Sequence, residues 1–116
     1  MRIGTRETKG VTILDIQGKF CIDEGTTEVR DRIRELLEGG NNKILVNLER
    51  VKYVDSTGIG TLVASFTSVA REGGQLKLAK VGHRMHRLLS TTKLLTVFDA
   101  YSDEAEAIAS FHDVRP

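Results

Sequence analysis

The chain has 116 residues, 40% of them hydrophobic and 28% charged, which suits one domain with one buried core. Seventeen Lys and Arg against 16 Asp and Glu leave a formal charge of +1, with no Trp and two Tyr; this argues against nucleic acid as the main partner, since phosphate neutralisation needs a basic surface and base stacking needs aromatic rings. Cys21 is the only cysteine, which excludes an internal disulfide and a cysteine-rich zinc site. Along the chain, Ile3 to Glu7 and Val11 to Ile16 are rich in β-branched residues, and Thr8-Lys9-Gly10 between them predicts a hairpin. Gly18 to Gly25 is expected to be a connector. Val29, Ile33, Leu36 and Leu37 then fall on one face of a helix, with Thr26 or Thr27 as its cap and Gly39-Gly40 as its end. Ile44-Leu45-Val46 is a continuous apolar run, the mark of a strand covered on both faces.

Tyr53 and Val54 lead into Asp55-Ser56, and a second helix follows, with Ile59, Leu62, Val63, Phe66, Val69 and Ala70 on one stripe. Gly73-Gly74 stops it. Leu76 and Leu78 alternate with Gln75 and Lys77 in a short strand. Met85, Leu88 and Leu89 predict a third helix, and Leu94 to Phe98 a last strand. Ser102 or Asp103 caps a closing helix that turns Ala105, Ile108 and Phe111 inward. The predicted order is β-β-α-β-α-β-α-β-α over residues 1–116. It describes a single α/β domain with a central mixed sheet and about four helices, joined mostly by right-handed crossovers. The opening residues Met1 to Arg6 lack the apolar core of a leader, and no run approaches the roughly 18 apolar residues of a membrane span, so the cytoplasm is the expected location.

The segment that carries chemistry is Val54-Asp55-Ser56-Thr57-Gly58-Ile59-Gly60. It places a hydroxyl where a loop becomes a helix, beside unpaired N–H groups and the positive end of the helix dipole. Ser56 is read in two ways: as the N-cap of that helix, or as an acceptor of phosphate, which the helix end tolerates. A nucleophilic role has little support. Val54 stands where the first glycine of a Gly-x-Ser-x-Gly elbow belongs, and nothing sets His83, His86 or His112 beside Ser56. Gly58 and Gly60 complete no phosphate-binding loop and are read as close-packing positions. His83 and His86, at i and i+3, have no third metal ligand, so no metal or cofactor is expected. Cys21 is read as a small buried apolar residue. Lys77, Lys80, Arg84 and Arg87 are read as a mildly basic solvated face.

Residues 54–60 resemble the phosphorylation-site motif of the STAS domain, as found in bacterial anti-sigma factor antagonists. The resemblance extends over nearly the whole chain. Ile44 to Leu48 is similar to the family's strand before the motif. Glu72 to Leu78 is similar to its helix-to-strand turn, and Leu88-Leu89 through Phe98 to its last helix and strand. It implies that Ser56 is the phosphoacceptor, Asp55 its preceding acid, and Gly58 and Gly60 the following glycines. It also implies a protein-binding switch rather than an enzyme, with no cofactor. Unphosphorylated antagonist binds an anti-sigma factor, often itself the serine kinase, and a serine phosphatase reverses the modification. The partner is expected over the Cys21–Thr26 loop and Asp23, Asp55, Ser56, Thr57, Gly58 and Gly60, with the protein a monomer or weak dimer. Many relatives carry Asp where this chain has Asn47, and an acidic residue near Cys21 where Asp23 comes slightly later. Two other readings are a STAS module in a lipid-transport or signalling complex that is never phosphorylated, and a nucleotide sensor at Ser56.

Overall fold

The computed structural model describes residues 2–21 and 25–112. Strands β1 (Arg2–Thr8) and β2 (Val11–Phe20) form the predicted hairpin. Lys9 (φ 53°) and Gly10 (φ 78°) both take positive φ, as a two-residue turn with the twist of its strands requires. β2 does not stop at Ile16. It continues through the expected connector because its parallel ladder with β3 (Lys43–Val54) continues, with a kink at Gly18 (φ 105°), and Phe20 ends it fully buried.

The sheet order is β1-β2-β3-β4-β5, with β4 at Gln75–Ala79 and β5 at Ala100–Tyr101. Only β1 and β2 are antiparallel; the other neighbours are parallel and are joined by helical crossovers. Helices α1 (Thr26–Glu38), α2 (Ser56–Arg71) and α3 (His83–Thr91) cover one face, over Ile44, Val46 and Leu48. Helix α4 (Glu104–Ser110) covers part of the other, over Val11, Ile13, Leu45 and Ala79. Ile44-Leu45-Val46 is therefore apolar throughout because each face of β3 has its own cover.

Several sequence expectations are corrected. α1 is capped by Gly25 in a left-handed conformation (φ 81°), and Thr26 is its first, buried residue. In α2, Ile59, Leu62 and Val69 are buried as expected, but Val63 and Phe66 are half-buried and Ala70 is exposed. Thr61 and Ser65 take inner positions instead. Phe66 meets Phe98 edge-on, with ring centroids 5.5 Å apart. Leu94 to Phe98 is not a strand. Lys93 (φ 62°) starts a 3₁₀ turn at Leu94–Thr96, and the Thr96 hydroxyl bonds back to the Lys93 carbonyl at 2.9 Å. The closing strand comes later, at β5, paired with Leu78 and Ala79. Asp103 caps α4, which buries Ala107 and leaves Ala105 exposed; Phe111 is buried just beyond it.

Lys77 also departs from expectation: it is buried and belongs to no solvated basic face. Its Nζ donates to the Ser110 carbonyl at 3.1 Å and approaches Ser110 Oγ at 2.9 Å, and it lies 4.9 Å from the Phe111 ring centroid. A cation at a helix C-terminus also meets the negative end of the dipole. Lys77→Met keeps the stem and removes the ammonium. It is expected to cost about 1.5–3 kcal/mol, the range for hydrogen bonds to charged groups. Chemical denaturation measures this, and amide exchange over residues 104–110 should quicken; an unchanged midpoint would mean that the clamp adds nothing.

Candidate functional site

The carboxyl ends of parallel strands are where α/β sheets commonly hold their sites, and residues 54–60 sit at that edge. β3 ends at Val54. Asp55 is extended (φ −112°, ψ −175°), and its Oδ1 accepts the Gly58 N–H at 2.9 Å. Asp55, not Ser56, is thus the N-cap of α2. The Asp55 N–H in turn donates to the Phe20 carbonyl at 3.4 Å, tying the turn to the end of β2. Ser56 is the first helical residue and is exposed. Its hydroxyl is not needed to start the helix, and it stands at the positive end of the dipole. Thr57, the neighbouring hydroxyl, is half-buried, and its carbonyl accepts from Thr61 Oγ1 at 3.0 Å.

The two glycines differ. Gly58 is buried, and a Cβ there would lie 2.8 Å from Val54 Cγ2 and closer still to the Phe20 carbonyl oxygen. It is glycine because the backbone of β2 passes too near for anything else. Gly60 is exposed and faces open space, so close packing does not explain it.

Cys21 is buried and its thiol is free, next to a single parallel bridge to Gly25. Asp23 lies outside the described residues. Asn47 is buried, and its Oδ1 accepts the Glu49 N–H at 2.9 Å, a role an aspartate oxygen fills equally well. His83 and His86 are exposed on α3. His112 is at the far hairpin, with Nε2 2.7 Å from the Lys9 carbonyl. On β1, Arg6 pairs with Asp15 at 2.6 Å and Glu104 at 2.5 Å; the bond to Asp15 is the main cause holding its guanidinium further into the charged form. Among the described residues, no helix is long and apolar enough to cross a membrane.

Sequence reasoning found Asp55, Ser56 and Gly58 but missed Phe20. Phe20 serves the site through its carbonyl, and backbone contacts leave no mark on their own residue. The only trace was Gly58, the residue that had to make room.

The division of labour at the turn sets an expectation. Asp55→Ala should cost about 0.5–2 kcal/mol, as for a lost cap. Ser56→Ala, at an exposed position, should stay within about 0.5 kcal/mol. Thermal denaturation of both variants checks this, and a larger loss for Ser56→Ala would return the cap to the serine.

The family model for the STAS domain matches residues 2–107 of this chain. The anti-sigma F factor antagonist of Paenibacillus polymyxa is 24% identical over 116 residues, covering 98% of this chain and 97% of that protein. The crystal structure of TM1081 from Thermotoga maritima superimposes with a TM-score of 0.89 at 25% identity, covering 96% of this chain and 95% of that one. The Bacillus anti-sigma factor antagonist SpoIIAA in its unphosphorylated form gives a TM-score of 0.73 at 19% identity, covering 97% and 100%. SpoIIAA has also been solved in a phosphorylated form, with the same TM-score of 0.73.

Proposed function

This chain belongs to the STAS domain family, and from that premise we propose that it is an anti-sigma factor antagonist switched by phosphorylation of Ser56. Unmodified, it binds and occupies an anti-sigma factor of the serine-kinase type; a serine phosphatase restores it after modification. It acts in the cytoplasm as a binding module, not as an enzyme. The docking surface is centred on Asp55, Ser56, Thr57, Gly58 and Gly60, and Asp23 contributes to partner recognition.

The observation that carries this reading is the separation of duties at the turn. Asp55 caps the helix while Ser56 stands exposed beside it. Phosphate on Ser56 adds about −1.5 to −2 charges at pH 7. It does so without removing the cap, so the fold is kept and only the surface changes. Thr57, half-buried, is the poorer acceptor. That SpoIIAA exists in both phosphorylated and unphosphorylated forms supports the same reading.

Protein recovered from its native cell should carry phosphate at Ser56 by mass spectrometry. The cognate kinase should label the wild type and leave Ser56→Ala unlabelled. Undiminished labelling of that variant would overturn the assignment.

A further inference from the structure

β3 outruns its neighbour on one side. Its pairing with β4 stops at Asn47↔Ala79, whereas on the other edge it stays on β2 as far as Phe20↔Val54. The cause is local. Lys80 takes φ 58°, in the left-handed region that turns a chain aside. The chain then follows β5, and the Val81 N–H donates to the Tyr101 carbonyl at 3.3 Å. The side chain of Asn47 takes the next N–H of β3, that of Glu49. Beyond that bond, among the described residues, no strand covers the β4 side of Arg50 to Val54.

An uncovered strand edge offers N–H and C=O groups to another chain. Here the edge opens onto a cavity of about 440 Å³. Leu48, Val51 and Val54 line it from β3, and Val81 and Met85 from the α3 side. Lys52, Lys80 and Arg84 also line it, and among the described residues Glu49 is the one carboxylate there. Tyr53, which also lines it, is 48% exposed.

We propose that this edge is a strand-addition site for an extended, acidic segment of a partner protein. The segment joins β3 as an extra strand and sets its carboxylates against Lys52, Lys80 and Arg84. Main-chain pairing supplies affinity and the alternate side chains supply choice, as in other strand-addition complexes. A strand needs a slot of about 4.8 Å, whereas a helix with side chains needs about 10 Å. The run from Arg50 to Val54 spans roughly 16 Å at 3.3 Å per residue, enough for a segment of about five residues. Charge decides between a partner and a second copy of this chain. Two identical edges would bring Lys52 and its neighbours against one another, and like-charge placement disfavours that pairing. The site needs no modification of Ser56, and its last residue, Val54, directly precedes the Asp55-Ser56 turn.

The probe is a blocked, fluorescein-labelled heptapeptide alternating Glu and Val, titrated against the whole chain and followed by anisotropy and amide NMR shifts. It should bind with a dissociation constant below about 1 mM, the range of weak specific contacts. The amides of residues 48–54 and 80–85 should shift. A peptide with Lys in place of Glu should bind at least about tenfold more weakly. One with alternate backbone nitrogens methylated should not bind, since it cannot pair with a strand. Lys52→Glu with Arg84→Glu should also weaken the Glu peptide at least about tenfold. If that double variant does not fold, the methylated peptide and the wild-type shifts decide alone. Failure to bind at about 1 mM, equal binding of the methylated peptide, or shifts confined elsewhere would overturn the proposal.

Discussion

Gly58→Ala should lower the melting temperature by roughly 10 °C, and Gly60→Ala, two positions along the same helix, should raise it. Two effects compete at both sites. Alanine is the better helix former, by up to about 1 kcal/mol. At Gly60 nothing opposes that gain, because the space beyond is open. At Gly58 the new methyl meets Val54 Cγ2 at 2.8 Å and the Phe20 carbonyl closer still. One of those neighbours is backbone, held in a ladder that cannot move aside without breaking pairing. Overpacking costs about 1–3 kcal/mol in cores with flexible neighbours, and more where they are fixed. A net loss of about 2 kcal/mol corresponds to the stated shift in a domain this small. Gly74→Ala is the control. Its Cβ would crowd Asn42, at 2.6 Å from that residue's Cβ, far along the chain from Ser56. Both substitutions should destabilise, but only Gly58→Ala should also impair partner binding in the protein that remains folded. A Gly58→Ala protein as stable as wild type would mean that β2 and α2 are not packed as described.

Phosphorylation of Ser56 should weaken binding to the anti-sigma factor roughly a hundredfold, while Ser56→Ala should bind as the wild type does. An unpaired or like charge placed in an interface costs several kcal/mol, and about 3 kcal/mol is a hundredfold in affinity. Asp55, adjacent in sequence, already commits its Oδ1 to the Gly58 N–H. Ser56→Asp should fall between the two, since one carboxylate carries less charge than a phosphate. Calorimetric titration of the unmodified, phosphorylated and substituted proteins reads all of this. Equal affinity of the phosphorylated and unmodified proteins would end the switch mechanism, and unequal melting temperatures would assign the effect to folding instead.

The elements were legible where one force set them. The continuous apolar run of β3, the helical period of α1 and the turn chemistry at Lys9-Gly10 come from burial and φ alone, and the structure follows them. The misreadings lie where two forces compete. Leu94 to Phe98 is apolar enough for a strand, yet Lys93 starts a tight turn, and Phe98 finds burial without entering the sheet. Phe66 has the period of a core residue but stands at the margin, edge-on to Phe98, so truncating it should cost less than the roughly 3–5 kcal/mol of a fully buried ring. Lys77 is a charged residue in an alternating strand and reads as outward-facing. It is buried because Ser110, 33 positions later, supplies its acceptors. At the site, the order Asp-Ser hid which residue caps the helix, since both types are good caps and only the backbone angles at Asp55 choose between them.

The attachments of α4 bear on how a newly made chain becomes whole. Glu104 reaches back to Arg6, Ser110 to Lys77, and His112 to Lys9, across separations of 98, 33 and 103 positions. Such distant contacts are slow to form, because the closure entropy comes before any contact rewards it. On the ribosome, Leu45, Val11 and Ile13 would stay uncovered until the last turn of α4 has emerged. The hairpin and the three crossover helices can assemble on one side of the sheet beforehand, but the second face waits for α4. Closure of that face therefore cannot precede the synthesis of α4, and a chain cut anywhere before residue 104 leaves an apolar sheet face bare.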